Sequence, residues 1–245
     1  MNNYKLVIQY DGARYKGWQR LGQGENTIQG KIENVISEMV GKPIEIIGSS
    51  RTDAGVHAYE QIANVKLSEH FTPVEVKNYL NKYLPNDISV VHVEQADDRF
   101  HARYNAKEKT YLYKIWNESH SHPFMRKYSM HVEETLNIEK MKHAAQYFIG
   151  SHDFTAYSNA KSKKKSMVRD IYSIDIEEKN GFINIRIRGN GFLYNMVRKM
   201  VGSLIEVGLN EMSPEQIAET ISTKQRKDTG RLADPAGLYL EKIQF

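Results

Sequence analysis

Apolar residues along this chain recur now at every second position and now at every third or fourth, and that alternation restricts the fold to mixed α and β architectures. Tyr4 to Tyr10 reads as a strand with Leu6, Ile8 and Tyr10 on one face. After a loop containing Gly12, Gly17, Gly22 and Gly24, the residues Ile28, Ile32, Val35, Ile36, Met39 and Val40 fall at helical spacing. Gly41 and Pro43 end that helix. Ile44 to Gly48 reads as a short strand, and Ala63, Val65 and Leu67 alternate in another. Thr72-Pro73-Val74-Glu75 is a capping box with Pro at the first helical position, opening a helix to about Tyr83. Ile88 to Val93 completes a β-α-β-β-α-β succession, the ferredoxin-like unit.

The rest of the chain repeats this scheme. Lys109 to Trp116 alternates as a strand, and Asn137 caps a helix flanked by Leu136 and Met141 as a hydrophobic staple. Ile171 to Ile176 and Phe182 to Arg188 read as strands joined near Asn180-Gly181, a hairpin signal. An amphipathic helix is expected over Phe192 to Val207, a second capping box at Ser213 to Gln216, and a closing strand over Leu238 to Ile243. The expected fold is therefore α+β: two pseudo-duplicated ferredoxin-like halves with antiparallel or mixed sheets, joined across a central cleft. The halves are 1–104, carrying the Asp53 loop described below, and 105–245, carrying basic segments.

Composition narrows the class. Among 245 residues, 40% are hydrophobic and 26% charged, which excludes a disordered chain and a coiled coil. There is no Cys, so disulfides and zinc–thiolate sites are excluded. The start lacks the charged and apolar regions of a secretory signal, and no apolar run approaches the ~20 residues that span a bilayer. These features predict a cytoplasmic protein with no membrane partner. Net charge is only +4, but it is segregated: residues 161–169, 186–199 and 224–231 together carry +12 and the remainder −8. A polyanion could be drawn to such a second half. Ser158 to Arg169 is polar and basic, with Lys161, Lys163, Lys164, Lys165 and Arg169. It reads equally as a surface loop or as a phosphate-binding loop that orders on contact.

The densest stretch is Ser49-Ser50-Arg51-Thr52-Asp53-Ala54-Gly55-Val56-His57-Ala58, between two expected strands. An Asp in a tight turn often caps its own backbone. A carboxylate near a guanidinium also stays ionised and serves as nucleophile or base. Spacing alone leaves both readings open.

This stretch resembles the signature of the bacterial tRNA pseudouridine synthase A family, and the resemblance extends over essentially the whole chain. Tyr10-Asp11-Gly12, Gly17-Trp18-Gln19 and Ile28-Gln29 are similar to that family's N-terminus. Phe100-His101-Ala102-Arg103-Tyr104 and Lys109-Thr110-Tyr111-Leu112-Tyr113 resemble its middle. Gly189 to Arg198 and Pro235-Ala236-Gly237-Leu238 resemble its last motifs. The family's pattern often has Gly where this chain has Ser50, and a small residue where it has Glu60; Asn117 to His131 also matches poorly.

The resemblance implies an isomerase that cuts the C1′–N1 bond of a uridine already in RNA, turns the uracil and rejoins it through C5, without cofactor or metal. Asp53 would be the essential carboxylate and Arg198 its partner. Tyr111 would stack on the uracil and serve as acid/base for the C5 proton, with Tyr113 expected on the opposite face of its strand, packed in the core. Leu238 would cover the base's other side, and Arg51 would contact a phosphate or fill the space of the flipped base. The implied substrate is the anticodon arm of tRNA and the implied assembly a homodimer. The departures at Ser50 and Glu60 support an alternative, a paralogue acting on a different RNA; a non-catalytic RNA-binding protein on the same scaffold is the other. Asp228-Thr229-Gly230, His120-x-His122 and Gly22-x-Gly24 lack the flanking features of a protease, metal or dinucleotide site.

Overall fold

The computed structural model describes residues 1–22, 26–159 and 166–245. Lys161, Lys163, Lys164 and Lys165, together with Gly24, lie outside the described residues. The chain forms two compact units, one of Met1–Lys107 with Tyr239–Phe245 and one of Glu108–Leu238.

The first unit runs β1 (Asn2–Tyr10), α1 (Ile28–Val40), β2 (Ile47–Gly48), β3 (His57–Leu67), α2 (Pro73–Tyr83) and β4 (Ile88–Ala96). β1 lies between β3 and β4, antiparallel to both, and β2 pairs with the far edge of β3. Tyr4, Leu6 and Ile8 alternate inward along β1, as the two-residue period requires, and join Ile28, Ile32 and Ile36 of α1 and Val76 and Leu80 of α2 in a closed core. The ends of α1 and α2 are set locally. Thr27 Oγ1 accepts the Gly30 N–H at 3.3 Å, and Gly41 stops α1 at φ 69°. The Thr72 hydroxyl accepts the Glu75 N–H at 3.2 Å while Glu75 Oε2 accepts the Thr72 N–H at 2.7 Å, completing the expected box.

The second unit runs β5 (Glu108–Trp116), β6 (Met130–His131), α3 (Ile138–Ala145), β7 (Gly150–Asp153), β8 (Val168–Lys179), β9 (Phe182–Gly189), α4 (Met196–Gly208) and α5 (Glu215–Thr223). Its sheet order is β5-β9-β8-β7, antiparallel throughout, with β6 alongside β5 in parallel. Strand, helix, antiparallel hairpin and helix thus recur in the order of the first unit. The β8–β9 turn places Asn180 at φ 53° and Gly181 at φ 77°, as the Asn-Gly pair predicts. Leu136 and Met141 are buried on either side of the Asn137 cap.

Two local expectations need correction. α4 begins at Met196 rather than Phe192, because Asn195 sits at φ 62°, left-handed backbone that a continuous right-handed helix cannot contain. The Ser213 box is half formed: Gln216 Oε1 accepts the Ser213 N–H at 2.6 Å, but α5 has no side-chain cap.

The Asp228-Thr229-Gly230 tripeptide serves packing. A Cβ on Gly202 would lie 1.7 Å from the Arg231 carbonyl oxygen, and one on Gly230 would lie 2.6 Å from the Ser203 nitrogen. The strand of chain at 230–231 therefore crosses α4 backbone to backbone. The terminal strand β10 (Leu238–Gln244) leaves the second unit and pairs in parallel with β3 of the first, Tyr239 opposite His57 and Leu240 opposite Ala58. Glu60 Oε1 accepts the Ile243 N–H at 3.2 Å, tying β10 to β3. Among the described residues no helix is long and apolar enough to cross a membrane.

Candidate active site

The loop that carries Asp53 is fastened at every step. Ser50, just before it, is held by Gln61 of β3: Gln61 Oε1 accepts the Ser50 N–H at 3.2 Å and Gln61 Nε2 donates to the Ser50 carbonyl at 2.7 Å. The Thr52 and Tyr10 hydroxyls hydrogen-bond at 2.8 Å in the core, and the Thr52 carbonyl accepts the Trp18 N–H at 3.1 Å. After Asp53, the Val56 N–H closes a turn onto the Asp53 carbonyl at 3.2 Å, and the Gly55 N–H donates to the Tyr15 carbonyl at 3.3 Å.

The Gly-rich entry loop is the bed for this turn. A Cβ on Gly17 would lie 2.5 Å from the Thr52 carbonyl oxygen, and one on Gly12 would lie 1.9 Å from that of Val56. Gly17 also sits at φ 94°, where a side chain is strained. His57 completes the fastening. Its Nδ1 accepts the Gly12 N–H at 3.1 Å, Asp11 Oδ1 lies 3.1 Å from the same nitrogen, and its ring stacks on Tyr239 at 4.8 Å. Asp53 is half-buried between these anchors. The backbone on both sides of it is thereby held in place. Arg51 is exposed, and its guanidinium is pushed below the ordinary arginine value by burial of part of the group and then by the charge of Arg103.

The other sequence-predicted residues lie in the second unit. Tyr111 on β5 is buried, with the ring of Phe192 edge-on at 5.1 Å and 85°. Tyr113 shares the face of Tyr111; the expectation of opposite faces fails because residues two apart on a regular strand point the same way. It is nevertheless a core residue, fully buried, with its hydroxyl donating to the Asp234 carbonyl at 2.7 Å, and burial holds its phenol well above the ordinary tyrosine value. Arg198 on α4 is half-buried, and its Nε donates to the Ala233 carbonyl at 2.7 Å. Leu238 is buried at the start of β10, behind a turn in which Asp234 Oδ1 accepts the Ala236 N–H at 2.8 Å. Arg169 is the second residue of β8, and its guanidinium donates to the Ser166 and Val168 carbonyls at 3.0 and 2.6 Å.

Sequence reasoning missed Gln61, His57 and Tyr10 as supports of the Asp53 loop. Each acts on a partner distant along the chain, and no local spacing signals such a bond. Among the described residues no group of three or more His, Cys, Asp or Glu could hold a metal ion. His120 and His122 instead lie edge-on to Trp116, at 5.6 and 4.7 Å.

Comparison with known proteins shows the family. The family model described as tRNA pseudouridine synthase matches residues 6–105 and 144–245, one segment for each run of strands and helices. The chain is 69% identical, over 245 residues and the full length of both proteins, to tRNA pseudouridine synthase A of Bacillus sp. (strain KSM-64). It is 65% identical over the same span to tRNA pseudouridine synthase A 2 of Bacillus cereus (strain ZK / E33L), and 44% identical to tRNA pseudouridine synthase A of Thermoanaerobacter sp. (strain X514). With both segments matched and identity sustained from end to end, the chain belongs to the tRNA pseudouridine synthase family.

Proposed function

We propose that this isomerase converts uridine to pseudouridine in the anticodon arm of tRNA, as a cytoplasmic homodimer, with Asp53 as the essential carboxylate. The observation that carries the reading is the fastening of the Asp53 loop by Gln61, Thr52, Gly17 and His57, inside a segment that the family model matches. A surface Asx-turn needs no such support. A catalytic carboxylate does, because an error of an ångström in its placement costs orders of magnitude in rate.

The reaction breaks the C1′–N1 bond, forms a C1′–C5 bond, and moves the C5 proton to solvent while N1 gains one. No atom is added and no net electrons move, so it calls for no redox partner. Asp53 attacks C1′ or the base, or assists loss of a sugar proton. Arg198 holds Asp53 ionised. Tyr111 stacks on the uracil, its hydroxyl handling the C5 proton, and Leu238 covers the second face. Arg51, Lys161, Lys163, Lys164, Lys165 and Arg169 are assigned to phosphates. The target leaves its stack first, at a cost of a few kcal/mol drawn from contacts to the rest of the RNA.

The test is pseudouridine formation by the purified chain on an unmodified tRNA transcript, mapped by nucleotide. Asp53→Asn is expected to fold and bind tRNA while losing turnover. Product confined to positions outside the anticodon arm overturns the substrate assignment, and turnover by Asp53→Asn overturns the mechanism.

A further inference from the structure

The Phe100 to Tyr104 segment has no part in the chemistry above, yet it is an exposed loop held with unusual completeness. Asn64 of β3 accepts the Ala102 N–H at 2.9 Å on its Oδ1 and donates through Nδ2 to Asn3 Oδ1 at 3.1 Å. Asn3 in turn donates to the Asp97 and Phe100 carbonyls at 2.8 and 3.0 Å. Both asparagines and Ala102 are buried. Asn105 Oδ1 accepts the His101 N–H at 2.7 Å, and His101 Nδ1 accepts the N–H groups of Arg103 and Tyr104, each at 3.2 Å. Such a loop presents its side chains with little further ordering cost on binding.

Those side chains are a platform and a charge. Tyr104 is 81% exposed, and its ring stacks on the His101 imidazole at 4.1 Å and 27°. One face is backed and the other is left to solvent. Arg103 beside it is exposed, and its charge reaches Arg51, whose own proton affinity it lowers. Among the described residues neither guanidinium is in an ion pair. Both loops hang from β3, Gln61 holding Ser50 and Asn64 holding Ala102. An open aromatic face beside an exposed guanidinium is the chemistry that takes single-stranded nucleic acid: a π surface for a base and a guanidinium for a phosphate.

We infer that Tyr104 stacks an unstacked base of the RNA substrate while Arg103 takes a phosphate flanking it. The inference rests on RNA being the substrate of the proposed reaction. It gives the middle motif a task, supplying binding energy that offsets extrusion of the target uridine.

The experiment measures dissociation constants of the full chain for an unmodified tRNA transcript across a salt series, with turnover assayed separately and circular dichroism confirming each fold. Tyr104→Ala is expected to weaken binding roughly 5- to 150-fold, the range for one lost base–aromatic stack, with the salt slope unchanged. Tyr104→Phe keeps the ring and is expected to keep the affinity. Arg103→Gln is expected to weaken binding and to reduce the slope of log K against log salt by about 0.7–0.9. Wild-type affinity in folded Tyr104→Ala, or an unchanged slope in Arg103→Gln, overturns the inference. If the wild-type chain makes no pseudouridine but Tyr104→Ala and Arg103→Gln weaken tRNA binding as stated, the proposed reaction fails and this inference stands.

Discussion

Arg198 and Ala233 clasp each other at two points: the Arg198 Nε donates to the Ala233 carbonyl at 2.7 Å, and the Ala233 N–H donates to the Arg198 carbonyl at 3.2 Å. The Nε edge of the guanidinium is therefore anchored on backbone. A lysine keeps the charge but has no planar fork to anchor. Arg198→Lys is expected to lower kcat for pseudouridine formation by ten-fold or more, roughly the effect of losing one charge-assisted bond. Steady-state kinetics on a tRNA transcript check this; a kcat within two-fold of wild type would show that the clasp has no catalytic consequence.

Gln61 satisfies both polar groups of Ser50 in a buried setting. Replacing it by Leu keeps the volume and removes both hydrogen bonds to the Ser50 backbone, at roughly 1–3 kcal/mol each. Gln61→Leu is expected to lose about 2–6 kcal/mol of stability in urea unfolding and, because Ser50 leads directly to Arg51 and Asp53, to lose turnover beyond what the unfolded fraction explains. Stability and turnover both equal to wild type would contradict the role given to Gln61.

The backbone crossing at α4 leaves no room for a methyl group. Gly202→Ala is expected to destabilise the chain by at least about 1–3 kcal/mol, the range for overpacking, since the atom it meets is a backbone oxygen that cannot swing aside. Among the described residues nothing lies within 4 Å of the Gly22 Cβ position, and Gly22→Ala is expected to change stability by under about 0.5 kcal/mol. Thermal melts of the two variants side by side provide the check.

Alkaline pH is expected to destabilise the fold. Burial first, and then the hydrogen bond to the Asp87 carboxylate, pushes the Tyr15 phenol up to about 12; burial pushes Tyr157 to about 12; burial raises Tyr113 as well. An unfolded phenol titrates near 10, so between about pH 10 and 12 the unfolded chain sheds protons that the folded chain keeps. The contribution of these three phenols is therefore level below pH 10 and falls as pH rises through that window. Melting temperatures across pH 8–12 should follow this course, and Tyr157→Phe should soften the decline. A flat profile to pH 12 would contradict it.

The Gly41 end of α1, the capping box of α2, the Asn180-Gly181 hairpin and the inward face of β1 were legible in the sequence because each is decided within a few residues. A threonine hydroxyl reaches its own helix's N–H groups, a glycine takes φ 69° without a Cβ to strain, and a strand alternates whatever it packs against. The order of motifs around Asp53, Tyr111 and Arg198 was equally legible, and the family followed from it. The bonds from Gln61 to Ser50, from Gly12 to His57 and from Asn64 to Ala102 join residues 11, 45 and 38 positions apart. The parallel register of β10 on β3 spans most of the chain. No local propensity encodes such partners. A long-range hydrogen bond is worth making only after water has been excluded around it, and that exclusion is a property of the packed core. The sequence by itself thus determined which elements form and to which family the chain belongs, and the tertiary structure alone decided what holds the Asp53 loop and the crossing at α4 in place.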